Sequence, residues 1–213
     1  MALIKLAKIN DNSFWAAWKI EESATSLIQE CLLNDDDLIE WHKIHHPRKQ
    51  VEWLSSRAAL TSILRFLGTP LFRIRKDDKG KPYLQNSSYH ISLANSYPYG
   101  VAILHRCQPV GIDIERPSDK LSRILHKFLN EREIATVRDR LTYQCAYWCV
   151  KETLYKLYGR KQLSLKDNIV VHSVHLDQSI WAHATIQQVN QQTHYTLEGI
   201  IIDNFFVVYS VVD

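Results

Sequence analysis

Several common protein classes are excluded by what this sequence lacks. Its 213 residues include four cysteines, at positions 31, 107, 145 and 149, and no Cys-x-x-Cys pair. A zinc ribbon needs such pairs, and a small disulfide scaffold needs more cysteines at closer spacing. A reducing, cytoplasmic setting is therefore expected. Cys145 and Cys149 stand one helical turn apart. A zinc site there would need two further ligands, and His126 is the one candidate nearby, so the pair is read as core thiols. No apolar run reaches the ~18 residues of a membrane span. Met1 to Lys8 lacks the long apolar stretch of a signal peptide. Neither a membrane segment nor a leader is expected. The net charge is only +3, and no stripe of interleaved basic and aromatic residues occurs, so nucleic acid is not the expected partner. Mild basicity suits a small anion or an acidic protein. No short repeat is present.

What remains is a soluble, globular composition. Hydrophobic residues make up 46% and charged residues 23%, and six Trp and ten Tyr imply packed aromatic cores. The length allows one large domain or two small ones. Each half reads strand, helices, then strands, with the break near Cys107-Gln108-Pro109.

The chain can be read in order. Residues 14–20 form a strand, and Ser23 caps a helix through Leu33. Asn34 and the acids 35–37 open a second helix, where the dipole favours negative charge. It runs through Trp41 and Ile44 to His45-His46-Pro47. The histidine pair lacks a third spaced ligand and is given a helix-end role. Residues 50–67 form a long amphipathic helix with Arg57 on it, stopped by Gly68 and Pro70. Residues 72–84 are a charged hairpin turning at Asp77-Asp78-Lys79-Gly80. Tyr99–Leu104 is a strand. After Ser118 the chain is helical through Phe128, and Asn130 with Glu133 makes a capping box. The tail from 168 reads as a four-strand antiparallel meander: 169–171, 181–186, 194–202 and 205–212.

Two stretches carry chemistry. In Val110-Gly111-Ile112-Asp113-Ile114-Glu115-Arg116-Pro117, alternation places Asp113 and Glu115 on one strand face, roughly 6.5–7 Å apart along the chain. That spacing suits two ligands of one hard cation. In the helical run Trp148-Cys149-Val150-Lys151-Glu152-Thr153-Leu154-Tyr155-Lys156, residues Trp148, Glu152 and Lys156 share a face. A third carboxylate opposite the strand makes an oxygen-rich site of the kind Mg²⁺ occupies with phosphates. A solvated strand edge and a surface Glu/Lys pair are the bland readings of the same letters.

The order Gly-Ile-Asp-Ile-Glu, then Phe-Leu-Asn-Glu-Arg-Glu (128–133), then Trp-x-x-Lys-Glu-x-x-x-Lys resembles the 4′-phosphopantetheinyl transferases of the Sfp type. That resemblance implies an α+β fold of two pseudo-symmetric lobes in one chain. Residues 1–108 would be a coenzyme A-binding lobe and 109–213 a lobe holding the metal and the catalytic helix, with the active site between them. It implies holo-acyl-carrier-protein synthase activity: transfer of the 4′-phosphopantetheine arm of coenzyme A to a serine of an acidic acyl or peptidyl carrier protein, by a monomer. Asp113, Glu115 and Glu152 would ligate Mg²⁺. Glu152 would take the serine proton, directly or through water, and Lys156 would stabilise the phosphate. Coenzyme contacts would come from Arg57, from Lys43 and Arg48 upstream, from Lys76, from Lys81 in Gly80-Lys81-Pro82, and from Asp113 and Lys156.

The family carries Ser-His-Ser where this chain reads Ser92-Leu93-Ala94-Asn95-Ser96. Either Leu93 or Asn95 stands at the phosphate-binding histidine, and spacing to Asp113 favours Asn95. His90 is a possible substitute. Asparagine donates hydrogen bonds but carries no charge. An inactive relative that binds coenzyme A or a carrier without transfer is thus an alternative. Gly159 to Leu165 resembles the family's G-x-G-L-S-L loop, with Lys161 near the second glycine. The basic residues Arg116, Lys120, Arg123, Lys127 and Arg132 fall where the family docks its carrier.

Overall fold

The computed structural model describes every residue except 1, 32, 70–72, 160–162 and 213. Pro70 as a helix stop, Phe72 at the head of the hairpin and Lys161 in the loop after Gly159 lie outside the described residues. The chain divides into two compact units, Met1–Val110 and Gly111–Val212. The fold is mixed α+β, as expected.

In the first unit the elements run β1 (Leu3–Asn10), β2 (Ser13–Lys19), α1 (Ala24–Glu30), α2 (Asp35–His42), α3 (Pro47–Phe66), β3 (Ile74–Lys76), β4 (Pro82–Leu84), β5 (His90–Ser96) and β6 (Tyr99–His105). An antiparallel sheet in the order β1-β2-β6-β5 packs against α3. Trp18, Leu54, Leu60, Ile63 and Leu104 centre its core. The α3 helix starts earlier than periodicity suggests, because Pro47 occupies its first turn, where a missing N–H costs nothing. The α2 helix ends at His42 rather than reaching the histidine pair, and His46 becomes the N-cap of α3. The α1 helix ends at Glu30, short of Leu33, with Cys31 already extended.

In the second unit the elements are β7 (Ile112–Glu115), α4 (Asp119–Ser122), α5 (Leu125–Phe128), α6 (Glu131–Val137), α7 (Leu141–Tyr158), β8 (Ile169–Leu176), β9 (Ser179–Gln188), β10 (Gln191–Ile202) and β11 (Phe205–Val211). The sheet is antiparallel, ordered β7-β11-β10-β9-β8. The helical stretch expected after Ser118 is broken at Arg123–Ile124 into two single-turn helices. Asn130 and Glu133 form the expected capping box. Cys145 and Cys149 are fully buried in the core under α7.

Gly111 sets how closely β7 and α7 approach. A Cβ there would lie 2.0 Å from the Thr153 carbonyl oxygen and 3.0 Å from the Leu157 nitrogen, both backbone atoms of α7. Backbone cannot move aside as a side-chain tip can. Gly111→Ala is expected to destabilise the protein by about 1–3 kcal/mol, as overpacking does. It should also impair any activity that depends on Asp113 facing α7. Urea melts of the variant test this, and an unchanged midpoint contradicts it.

Candidate active site

The second unit brings its four expected residues onto one surface. In the β7–β11 register Asp113 pairs with Val208 and Glu115 with Phe206. Val208 and Phe206 belong to the core beneath α7, so the two acids share the face on which the helix lies. Lys156, in the last turn of α7, donates to Asp113 Oδ1 at 2.7 Å and to the Ile112 carbonyl at 3.3 Å. Asp113 is 6% exposed. Its other oxygen, Oδ2, is buried with no hydrogen-bond partner among the described residues.

Glu152, one turn before Lys156, carries a carboxyl pushed up to about 7. Burial is the main cause. The charges of Asp113 and Glu115 add to it, and Lys156 opposes it. Each cause fits one picture: three acids and one lysine on a partly dry surface, with too little positive charge. Glu152 therefore holds its proton more tightly folded than unfolded. The folded state binds more protons between about pH 4.5 and pH 7, so the associated stability is present below that window and lost as pH rises through it. With chelator present, stability should fall across this window by on the order of 2–3 kcal/mol from this group. Glu152→Gln should remove that part of the slope. Denaturant melts from acid to neutral pH measure it, and an identical slope in the variant contradicts it.

The residues present fit a hard cation in donor type. All candidates are carboxylate oxygens, one of them a buried atom without a partner, and a cation would relieve the excess negative charge. Yet among the described residues no three His, Cys, Asp or Glu side chains are grouped closely enough to hold a metal ion. The acids sense one another without forming a ready cage. Lys156 pairs with one Asp113 oxygen.

Lys151, the residue before Glu152, belongs to the same Trp-x-x-Lys-Glu pattern. It is fully buried. Its ammonium donates to Glu133 Oε2 at 2.7 Å, to the Leu165 carbonyl at 2.9 Å and to the Ile169 carbonyl at 2.6 Å. Glu133 also accepts the Asn130 N–H at 2.9 Å and, through Oε1, the Val171 N–H at 2.9 Å. One ion pair thus joins α6, α7 and β8, and fixes the rotation of the helix that presents Glu152. The signal lay in the sequence: Tyr147, Val150, Lys151 and Leu154 follow the spacing of an apolar stripe, which puts a lysine at a core position.

Residues 109–204 match the 4′-phosphopantetheinyl transferase superfamily. The match runs from just before β7 through β10 and contains Asp113, Glu115, Glu152 and Lys156, together with Glu133 and Lys151. The match covers less than half of the chain and supports phosphopantetheine transfer in general. A search of curated proteins gave no match.

Apart from Asp113 and Lys156, the coenzyme-binding residues expected by resemblance belong to the first unit. Arg57 and Lys76 line one cavity of about 210 Å³ with Ile74, Arg75, Asp36, Asp37 and Glu40. Arg57 is 6% exposed, stacks on the Trp53 ring with its guanidinium carbon 3.1 Å from the centroid, and donates to the Trp53 carbonyl at 3.3 Å. Burial pulls its pKa down to about 10, while Asp37 opposes that. Its Nε has no hydrogen-bond partner among the described residues. Lys76 pairs with Glu40 at 2.8 Å, and Arg75 with Asp36 at 2.6 Å. An incoming phosphate would have to compete with these acids. Arg48 pairs with Glu52 at 3.1 Å and stands 4.4 Å over the Tyr97 ring. Lys43 is exposed at the end of α2. Lys81 is half-buried, which lowers its pKa. His90 is also lowered, by burial and then by the charge of Lys81. Asn95 is exposed on β5 opposite Gly100. In the second unit Arg116, Lys120, Arg123, Lys127 and Arg132 are all exposed. No helix is long and apolar enough to cross a membrane among the described residues.

Proposed function

We propose that this protein is an Sfp-type, Mg²⁺-dependent enzyme that moves the 4′-phosphopantetheine arm of coenzyme A onto the serine of an acidic acyl or peptidyl carrier protein, releasing adenosine 3′,5′-bisphosphate. The observation that carries the reading is the group formed by Asp113, Lys156 and Glu152, with Glu152 raised to about 7 beside them. A carboxyl held beside a lysine and a second carboxylate is placed to take up a proton, and as a cation ligand it does so directly or through one water.

Asp113, Glu115 and Glu152 would hold the cation, which supplies charge neutralisation at the pyrophosphate. This chain's own residues do the rest. Lys156, oriented by Asp113, places positive charge where negative charge develops on the phosphate and the leaving group. Glu152 takes the serine proton, directly or through one water. Lys43, Arg48, Arg57, Lys76, Lys81 and Asn95 would receive the phosphates of coenzyme A by charge and hydrogen bonding. Arg116 and the basic residues after it would steer an acidic carrier. Positioning and electrostatics provide most of the rate in phosphoryl-group transfer.

The test is release of adenosine 3′,5′-bisphosphate from coenzyme A and Mg²⁺ when each of several apo carriers is added. Release with at least one carrier supports the proposal. The acid partners of Lys76 and Arg75, and the uncharged Asn95, favour a second reading in which coenzyme A binds but is not consumed. Binding by calorimetry without nucleotide release would select that reading.

A further inference from the structure

The sheet of the second unit has a face turned away from α7. On β9, Ala182, Ala184 and Ile186 enter the core under the helix, so His183 and Thr185 point to the opposite face. Thr185 is fully buried there. Its Oγ1 lies 2.6 Å from His172 Nε2 and 3.2 Å from His194 Nδ1. Each residue comes from a different strand. His194 on β10 is directly opposite Thr185. His172 on β8 sits where the register breaks between Val171 and Ser173. Val171 and Val174 both reach the core, so this bulge inserts one extra residue on the far face and aims His172 at Thr185. The two rings lie 6.3 Å apart, 29° from parallel.

A hydroxyl has one proton, so it can donate to only one of these rings, and the other must donate to it. Two imidazole nitrogens from non-adjacent strands are thus aimed at a single atom. The arrangement a metal imposes on two histidines is of the same kind, with nitrogens ~2.0–2.1 Å from a shared centre. Imidazole suits late first-row divalent ions, whereas carboxylate oxygens suit Mg²⁺.

We propose that His172 and His194 form a two-imidazole site for a late first-row divalent cation such as Cu²⁺, Ni²⁺ or Zn²⁺, separate from the carboxylates of β7 and α7. Thr185 rotates its hydroxyl aside, and water fills the remaining positions. No third His, Cys, Asp or Glu joins the pair among the described residues, so affinity is modest and follows the order Cu²⁺ above Ni²⁺ and Zn²⁺. Occupancy ties β8, an edge strand, to β10 across β9.

The experiment is calorimetric titration of the tag-free full chain with Ni²⁺ in excess Mg²⁺. One equivalent should bind. His172→Ala and His194→Ala should each weaken binding at least tenfold while leaving the metal-free melting temperature within a degree or two. A His45→Ala/His46→Ala chain, which removes the exposed histidines at the start of α3, should bind as the wild type does. The proposal is overturned if Ni²⁺ does not bind, if binding survives loss of either His172 or His194, or if it disappears with His45 and His46. Because the readout is metal binding, failure here leaves the transferase assay untouched, and the reverse also holds.

Discussion

Glu152→Gln is expected to lower transfer by about 10²–10⁴-fold, the usual contribution of a positioned general base. Glutamine keeps the shape of the side chain and cannot accept the serine proton. The variant should not owe its loss to unfolding. A neutral side chain relieves the repulsion from Asp113 and Glu115 that raises Glu152, so above pH 7 the variant should be at least as stable as the wild type. Loss of a cation ligand and loss of a proton acceptor can be separated. A weakened metal site recovers with higher Mg²⁺, whereas a missing base does not. Lys156→Ala should be comparably damaging, for a different reason. It removes positive charge from the reacting phosphate and leaves Asp113, bonded by Lys156 at 2.7 Å, as a nearly buried carboxylate without its ion-pair partner. Steady-state rates over a range of Mg²⁺ distinguish the two variants. Full activity in Glu152→Gln would remove this residue from the chemistry.

Lys151→Met is expected to destabilise the protein by about 3–5 kcal/mol, the range for removing one member of a buried ion pair. Lys151 and Glu133 are 0% and 3% exposed and 2.7 Å apart. Removing the lysine strands a carboxylate that must also serve the Asn130 and Val171 N–H groups. It also leaves the Leu165 and Ile169 carbonyls short of a donor. Lys151→Met combined with Glu133→Gln should cost much less than the sum of the single changes, because no unpaired charge remains. Urea melts of the four proteins give the coupling directly. Additive effects would mean the pair does not act as a unit.

How far the sequence revealed this molecule differs from element to element. The Asp113/Glu115 strand and the Glu152/Lys156 helix were legible because alternation and helical spacing put each set on one face. The cap at Asn34 and the capping box at Asn130 were legible because such bonds span two or three residues, whereas the second half of the Asn34 box, accepted by Asp37, came only with the structure. The Glu133–Lys151 pair was not, since its members are 18 residues apart and only tertiary packing brings them together. The β1 strand was missed because Leu3–Asn10 mixes lysines with half-buried apolar residues at a sheet edge. By resemblance Arg57 reaches toward phosphate. The fold buries the side chain against Trp53 and lines its cavity with acids as well as bases, a feature no local pattern encodes. The His172–Thr185–His194 arrangement depends on a bulge and on two strand registers, so nothing in the linear order announced it.

The most direct measurement is the intact mass of an apo carrier after incubation with this protein, coenzyme A and Mg²⁺, beside a carrier whose acceptor serine is alanine. The proposed function predicts a gain of one phosphopantetheine on the serine carrier, none on the alanine carrier, and none on either when Glu152→Gln replaces the wild type at short times. An unchanged mass across acyl, polyketide and peptidyl carriers, from a folded protein with Mg²⁺ present, would contradict it.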